Sequence, residues 1–344
     1  MSVNLQTTVV ALFHERVTAD GTKPALQVKR AGSFEPISWN ELSNDVLRTA
    51  AGLANVGVRP GDRVVQFSEN RYEWIVSDLA IQISQAVHVP LHALLTGQQA
   101  AYQINDCAAR VVLLSTAEQV EKLAAASDQL TVDSHFFAYD DCRNKVGSQV
   151  VRSFEELTNL ADAKTGAQLK QQALANLNPG SLATILYTSG TTGEPKGVML
   201  SQGNLTSNAL AALEVFQQRS DDVRLSFLPH SHIFARTCDV YTWIATGAQL
   251  VLAESRETVI ADCQAVQPTL INGVPYFFDK VRRALVDLGR EDAESLRDIL
   301  GGRVRMCCSG GAPLADHVFD FFNDRGVTLT QGYGLTESSP VITA

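Results

Sequence analysis

Residues Tyr187 to Leu200 read YTSGTTGEPKGVML. Here Thr188, Ser189, Thr191 and Thr192 supply four hydroxyls, Gly190, Gly193 and Gly197 supply permissive backbone, Pro195 stiffens one bend, and Lys196 carries the stretch's positive charge. Small residues let backbone N–H groups approach phosphate oxygens, hydroxyls donate further hydrogen bonds or touch a metal ion, and an ammonium balances negative charge, so the stretch suits a polyphosphate. A plain Gly/Thr/Ser-rich turn between two strands has the same composition. The apolar run Leu182 to Leu186 just before it reads as a buried strand, which puts the loop at the end of a sheet, where open α/β sheets bind ligands. The spacing excludes a Walker loop, which needs GxxxxGK followed by Ser or Thr. Gly190 and Gly193 are too close for that, and Lys196 stands between Pro195 and Gly197.

Outward from the loop, strands alternate with helices. Towards the N-terminus the pattern predicts a helix carrying Val9, Val10, Phe13 and Val17, strands over Ala25 to Val28, Asp62 to Phe67, Ala86 to Pro90, Ala109 to Leu114 and His135 to Tyr139, and helices over Asn40 to Val56 and Tyr72 to Gln85. Gly57, Pro60 and Gly61 close the first of those two helices. Towards the C-terminus it predicts a helix over Asn204 to Gln217 and strands at 225–228, 248–252, 269–272, 303–308 and 327–330. This alternation argues for an α/β fold with largely parallel sheets covered by helices. The polar span 140–180, ending in Asn178-Pro-Gly180, suggests a boundary near 170, with a first α/β subdomain over 1–170 and a second over 171–344 that carries the phosphate loop.

The 344 residues are 45% hydrophobic and 19% charged, ordinary for a soluble globular protein. A net charge of −9 argues against a nucleic-acid surface. No apolar run is long enough for a transmembrane helix, and Val9 to Phe13 is too short for a signal peptide. Six scattered cysteines without a CxxC spacing read as reduced core thiols in a cytoplasmic protein, which leaves room for peripheral contact with the inner face of a membrane.

Three further constellations follow predicted strands. Phe227-Leu-Pro-His-Ser-His-Ile-Phe-Ala-Arg236 holds two histidines two residues apart. On extended backbone they would face one way, as a metal pair or as structural histidines. Cys308-Ser-Gly-Gly-Ala-Pro-Leu314 reads as a tight turn into a helix with Pro313 near its start. Gln331-Gly-Tyr-Gly-Leu-Thr-Glu337 offers Gly332 and Gly334 for close approach to a ligand, the flat face of Tyr333 for a base, the Thr336 hydroxyl for a phosphate, and Glu337 as a hard oxygen ligand for Mg²⁺.

The order of residues in YTSGTTGEPKGVML resembles the signature loop of the adenylate-forming superfamily, which contains acyl-CoA synthetases, luciferases and peptide-synthetase adenylation domains. The span Gly61 to Ala80, with Asn70, Arg71, Glu73 and Trp74, resembles long-chain fatty-acyl-CoA synthetases in particular; read as residues alone, Trp74 packs and Arg71 and Glu73 form a helix-surface pair. The resemblance implies two stacked, mostly parallel sheets with helices on their faces. It implies activation of a long-chain fatty acid by ATP through an acyl-adenylate, then transfer to CoA. The carboxylate attacks the α-phosphorus and pyrophosphate leaves, with charge held by preorganised donors and a metal and with no protein nucleophile.

By the same resemblance, loop residues 188–197 (Thr188, Ser189, Gly190, Thr191, Thr192, Gly193 and Lys196) wrap the β and γ phosphates, and Gly310, Gly311 and Ala312 pack on adenine. Gln331, Gly332, Tyr333 and Gly334 complete the nucleotide site, Thr336 binds the α-phosphate, Thr188 and Glu337 hold Mg²⁺, and His232 stands beside the reacting carboxylate. Val274 and Tyr276, within Asn272 to Phe278, border the acyl chain, where a buried aromatic turn is the alternative. Ala235 departs from the long-chain pattern, which commonly has Glu before Arg236. Members continue beyond the YGLTE loop with a ribose-binding Asp, a hinge and a small C-terminal domain, so a chain ending at Ala344 is expected to be an N-terminal part with little turnover alone. Another carboxylic-acid activator and a non-catalytic nucleotide-binding module are the competing readings.

Overall fold

The computed structural model describes residues 7–142, 144–159, 161–188 and 193–343. They form two compact units: one of Met1–Val17, Asn40–Ser207 and His230–His232, the other of Thr18–Trp39, Asn208–Pro229 and Ile233–Ala344. The phosphate-loop strand thus falls in the first unit, not in a second subdomain starting at 171. The reason is pairing: Leu182–Thr188 lies parallel to Val87–Leu91, in register His88 to Thr184. The polar span that suggested a boundary is instead surface structure, including the largely exposed helix Ala163–Asn176. That helix stays on its unit through Gly166, where an added Cβ would come within 2.4 Å of the Leu47 carbonyl oxygen.

The first unit's sheet has eight strands, in the order Lys196–Ser201, Leu182–Thr188, Val87–Leu91, Arg63–Phe67, Val111–Leu114, His135–Ala138, Gln149–Ser153 and Lys145–Val146. Its central strands pair in parallel, and Val64, Val65, Val111, Val112, Leu113 and Leu114 are fully buried, as strands covered on both faces require. The predicted helix after the first of these is Tyr72–Ile83. Thr96 and Gln99 cap the helix Gly97–Asp106 reciprocally, the Thr96 side chain accepting from the Gln99 amide.

The second unit's sheet has seven strands, in the order Thr328–Gln331, Met306–Ser309, Leu270–Gly273, Val223–Ser226, Gln249–Leu252, Pro24–Arg30 and Ser33–Ser38. All but the last pair in parallel. Leu225, Val251, Ile271, Cys307 and Leu329 stand side by side in the register and share one core cluster with Phe278, Val281, Phe321 and Phe322. Because side chains alternate along a strand, Arg224, Ser226, Asn272 and Cys308 fall on the opposite face. There they meet the buried segment Arg236–Tyr241, which is wound as a π-helix. All six cysteines are free thiols, five buried and Cys142 partly exposed. Among the described residues no helix is long and apolar enough to cross a membrane.

Candidate functional site

In the first unit the described part of the signature stretch lies on the two arms of a β-hairpin. Leu182–Thr188 runs antiparallel to Lys196–Ser201, with Thr188 opposite Lys196 and Tyr187 opposite Gly197. Ser189, Gly190, Thr191 and Thr192 lie outside the described residues. Gly193 has φ +98° with open space around it, so the turn needs the left-handed region at that point. Gly197 serves packing: a Cβ there would stand 2.7 Å from Ile185 Cγ2. Tyr187 ties the hairpin down, its hydroxyl donating to Asp106 Oδ2 at 2.5 Å. Lys196 is exposed beside Thr188.

The two histidines do not form a pair. The chain turns at His230–His232 instead of running extended, so two-residue alternation does not apply. His230 is fully buried, whereas His232 is exposed. The His230 amide donates to Asn70 Oδ1 at 2.8 Å, and its ring meets Trp74 edge-on at 5.1 Å. Although the residue keeps an exposed edge, protein packed around the rest of the His232 ring desolvates it and lowers its pKa below 6.5, which favours the neutral imidazole at neutral pH. Trp74 is the packing residue the sequence suggested, and Arg71 binds Glu73 at 2.7 Å.

In the second unit, four adjacent parallel strands end together: Val223–Ser226, Leu270–Gly273, Met306–Ser309 and Thr328–Gln331. The turns that follow carry Phe227, Val274, Gly310 and Gly332. Gly310 N donates to the Gly273 carbonyl at 3.1 Å, and Gly332 N to the Ser309 carbonyl at 2.8 Å, which locks the turns side by side. The helix after the Gly310 turn begins at Asp316, shortly after Pro313, leaving Gly311, Ala312 and Pro313 exposed ahead of it. Tyr333 is exposed on the short pairing of Tyr333–Gly334 with Val341–Thr343. Thr336 and Glu337 lie on the single turn Thr336–Ser338, with Glu337 exposed.

The glycines here divide by cause. At Gly334 a Cβ would fall 1.7 Å from the Pro340 carbonyl oxygen, so protein packing and not a ligand demands it. At Gly310 a Cβ would stand 2.9 Å from the Phe234 ring, a partner that sequence reasoning missed. Gly310→Ala is expected to destabilise the chain by about 1–3 kcal/mol through this overlap, and Phe234→Leu to restore part of the loss. Thermal denaturation of the single and double variants reads both.

Beside these turns lies a cavity of about 460 Å³, lined by Phe227, Leu228, Val274, Tyr276, Phe277 and Val281 and reaching Ala284 and Ile299. Of the predicted wall, Val274 and Tyr276 face the cavity, but Phe278 is core and Asn272 is structural, its amide donating to Asp239 Oδ1 at 2.7 Å. A Cβ on Gly311 would stand 4.0 Å from Val274 Cγ1, so the turn and the cavity wall are neighbours. Phe227 joins them with its ring 4.9 Å from that of Phe277.

Such an arrangement offers bare backbone for a flat base next to an apolar hole. Comparison with known proteins agrees, since the pattern of AMP-binding enzymes matches residues 13–344. The chain belongs to the AMP-binding enzyme family. A long-chain-fatty-acid–CoA ligase of Mycobacterium bovis is 27% identical over 373 residues, covering 96% of this chain and 61% of its own length. Among solved structures, a long-chain-fatty-acid–CoA ligase from Archaeoglobus fulgidus superposes with a TM-score of 0.80 at 19% identity, over 98% of this chain and 62% of that one. A benzoate CoA ligase from Burkholderia xenovorans gives 0.78 at 21% identity, over 97% and 62%. The chain thus spans about three-fifths of each of these proteins.

Proposed function

We propose that this chain is the ATP- and acyl-binding part of a long-chain fatty-acid–CoA ligase, which joins a carboxylate to AMP with loss of pyrophosphate and then passes the acyl group to CoA. The observation that carries the reading is the apolar cavity opening beside the Gly310–Ala312 turn, with Val274 next to Gly311. Adenine lies on the exposed backbone of Gly311 and Ala312, carried by the buried Gly310, and against Tyr333, with Gln331, Gly332 and Gly334 shaping the turn. Thr336 donates to the α-phosphate, and Lys196 with the loop from Thr188 to Gly193 holds the leaving phosphates. Neutral His232 donates a hydrogen bond to the carboxylate oxygens without adding a full charge.

Thr188 and Glu337 bring one hard oxygen each, and among the described residues no group of three or more His, Cys, Asp or Glu forms a metal cage. Oxygen donors of this kind, one in each unit, suit Mg²⁺, which arrives on nucleotide phosphates and keeps several waters. When bound it neutralises charge on the phosphate oxygens.

One observation favours a different acid. Ala235 stands where long-chain members commonly carry Glu, and it is buried in an apolar cluster with Leu228, Phe234, Cys238 and Cys308, which would not accept a carboxylate. Calorimetric titration of this chain with sulfamoyl analogues of hexadecanoyl- and benzoyl-adenylate decides between them. The hexadecanoyl analogue is expected to bind at least about tenfold more tightly. A preference for the benzoyl analogue would replace the long-chain reading, and failure of both to bind, with no response to ATP and Mg²⁺, would favour a non-catalytic module.

A further inference from the structure

We propose that Asn70 and Trp74 are positioning residues for the His230–His232 turn, fixing the direction of the His232 ring through the buried His230. Asn70 lies in the loop between the strand Arg63–Phe67 and the helix Tyr72–Ile83. Its side-chain oxygen accepts the His230 amide at 2.8 Å, across 160 residues of sequence. Trp74, on the first turn of that helix, sets its ring edgewise to two imidazoles, His230 at 5.1 Å and His88 at 5.3 Å. Asp78, one helical turn beyond Trp74 and on the same face, lies 2.9 Å from His88 Nδ1 through Oδ1. Trp74, Asp78, His88 and His230 are all completely buried.

The physical sequence runs from inside outward. The Asp78 carboxylate fixes the His88 ring, His88 and the helix fix Trp74, and Trp74 with Asn70 fixes His230 by one ring contact and one backbone hydrogen bond. His232, two residues along a turn so held, inherits its ring direction from it. A buried polar set of this kind is costly unless it specifies a geometry, and an exposed imidazole at the end of it is the part that geometry serves. The inference rests on the reading of His232 as the group beside the reacting carboxylate.

The test uses this chain labelled with ¹⁵N-histidine, with the His232 resonances assigned through His232→Gln. Asn70→Ala removes the acceptor, and Asn70→Asp keeps an oxygen in its place. Asn70→Ala is expected to shift the His232 ring resonances and to weaken the hexadecanoyl-adenylate analogue about tenfold. Asn70→Asp restores both, and Trp74→Phe, which keeps an aromatic edge, stays closer to the parent than Trp74→Leu. Asn70→Ser, too short to reach the amide, gives the same shift as Ala where the Ala variant does not fold. A lowered melting temperature with unmoved His232 resonances would make Asn70 merely structural and overturn the proposal. Should the parent chain bind no analogue, the His232 resonances alone decide positioning, so failure of the functional reading is told apart from failure of this one.

Discussion

Arg224→Met is expected to cost about 3–5 kcal/mol of stability, the price of leaving one charge of a buried pair without its partner. Arg224 is 1% exposed and Asp239 fully buried, with Arg224 Nη1 donating to Asp239 Oδ1 at 3.2 Å. Ser226 Oγ and Asn272 Nδ2 donate to the same carboxylate, each at 2.7 Å. Burial pushes the Asp239 pKa above 3.8, and Arg224 is the strongest influence pulling it back. A raised folded-state pKa means that the native protein holds the proton more tightly than the unfolded chain. Its contribution is therefore present below the unfolded pKa and is lost as pH rises through the folded one. Removing Arg224 raises that folded pKa further, so the deficit of Arg224→Met is small near pH 4 and largest near pH 7.

Urea denaturation at the two pH values measures this, and Arg224→Met with Asp239→Leu should recover most of the loss by removing the stranded charge as well. A deficit below about 1 kcal/mol at neutral pH, or one that grows in acid, would show that the pair does not hold the segment. The consequence reaches the site, because Asn272 precedes the cavity wall at Val274 and lies opposite Cys308, which precedes the Gly310 turn.

The features legible in the sequence are those that local chemistry dictates. Central strands such as Val111–Leu114 are apolar on both faces, and the helix Trp39–Asn55 ends before Gly57 as its stop signal requires. The turns after Met306–Ser309 and Thr328–Gln331 were readable because few residue types tolerate such backbone. The edge strand Lys196–Ser201 was not, since Gly197 breaks its pattern and Met199 is 68% exposed, leaving no alternation to detect. Nor was the π-helix Arg236–Tyr241, all six of whose residues are buried and so carry no amphipathic period. His230 and His232 look alike as residues; what distinguishes His230 is its contact with Asn70 and Trp74, far away in the chain. Contacts such as Gly310 with Phe234 have no local signature, because what they satisfy is packing between separate loops.

If the cavity takes the acyl chain as proposed, Ala284→Phe is expected to move its preference from long chains to short ones. Phe277, Val281 and Ala284 line the cavity from the helix Pro275–Asp287, and their spacing puts them on one face of it. Val274 marks the end beside Gly311, so successive turns of the helix lead away from the Gly310–Ala312 turn towards Ala284 and Ile299. Ala284 is the smallest residue of that stripe, and the space its side chain leaves open is what the last part of an acyl chain would fill. A phenylalanine ring there displaces roughly four methylenes, each contributing about 0.8 kcal/mol when buried, for a loss of about 3 kcal/mol or a hundredfold in affinity. Titration with adenylate analogues should show that loss for the hexadecanoyl chain and less than about a threefold change for the octanoyl chain, which stops short of the ring. Ala284→Ser keeps the volume and should leave the order of chain lengths unchanged. Equal weakening of both chains would instead mean that the ring distorts the helix, and no change in either would remove the cavity as the acyl site. Because Ala284 is half-buried and borders open cavity space, the ring enters volume that no side chain fills, and the melting temperature should hold while chain-length preference moves.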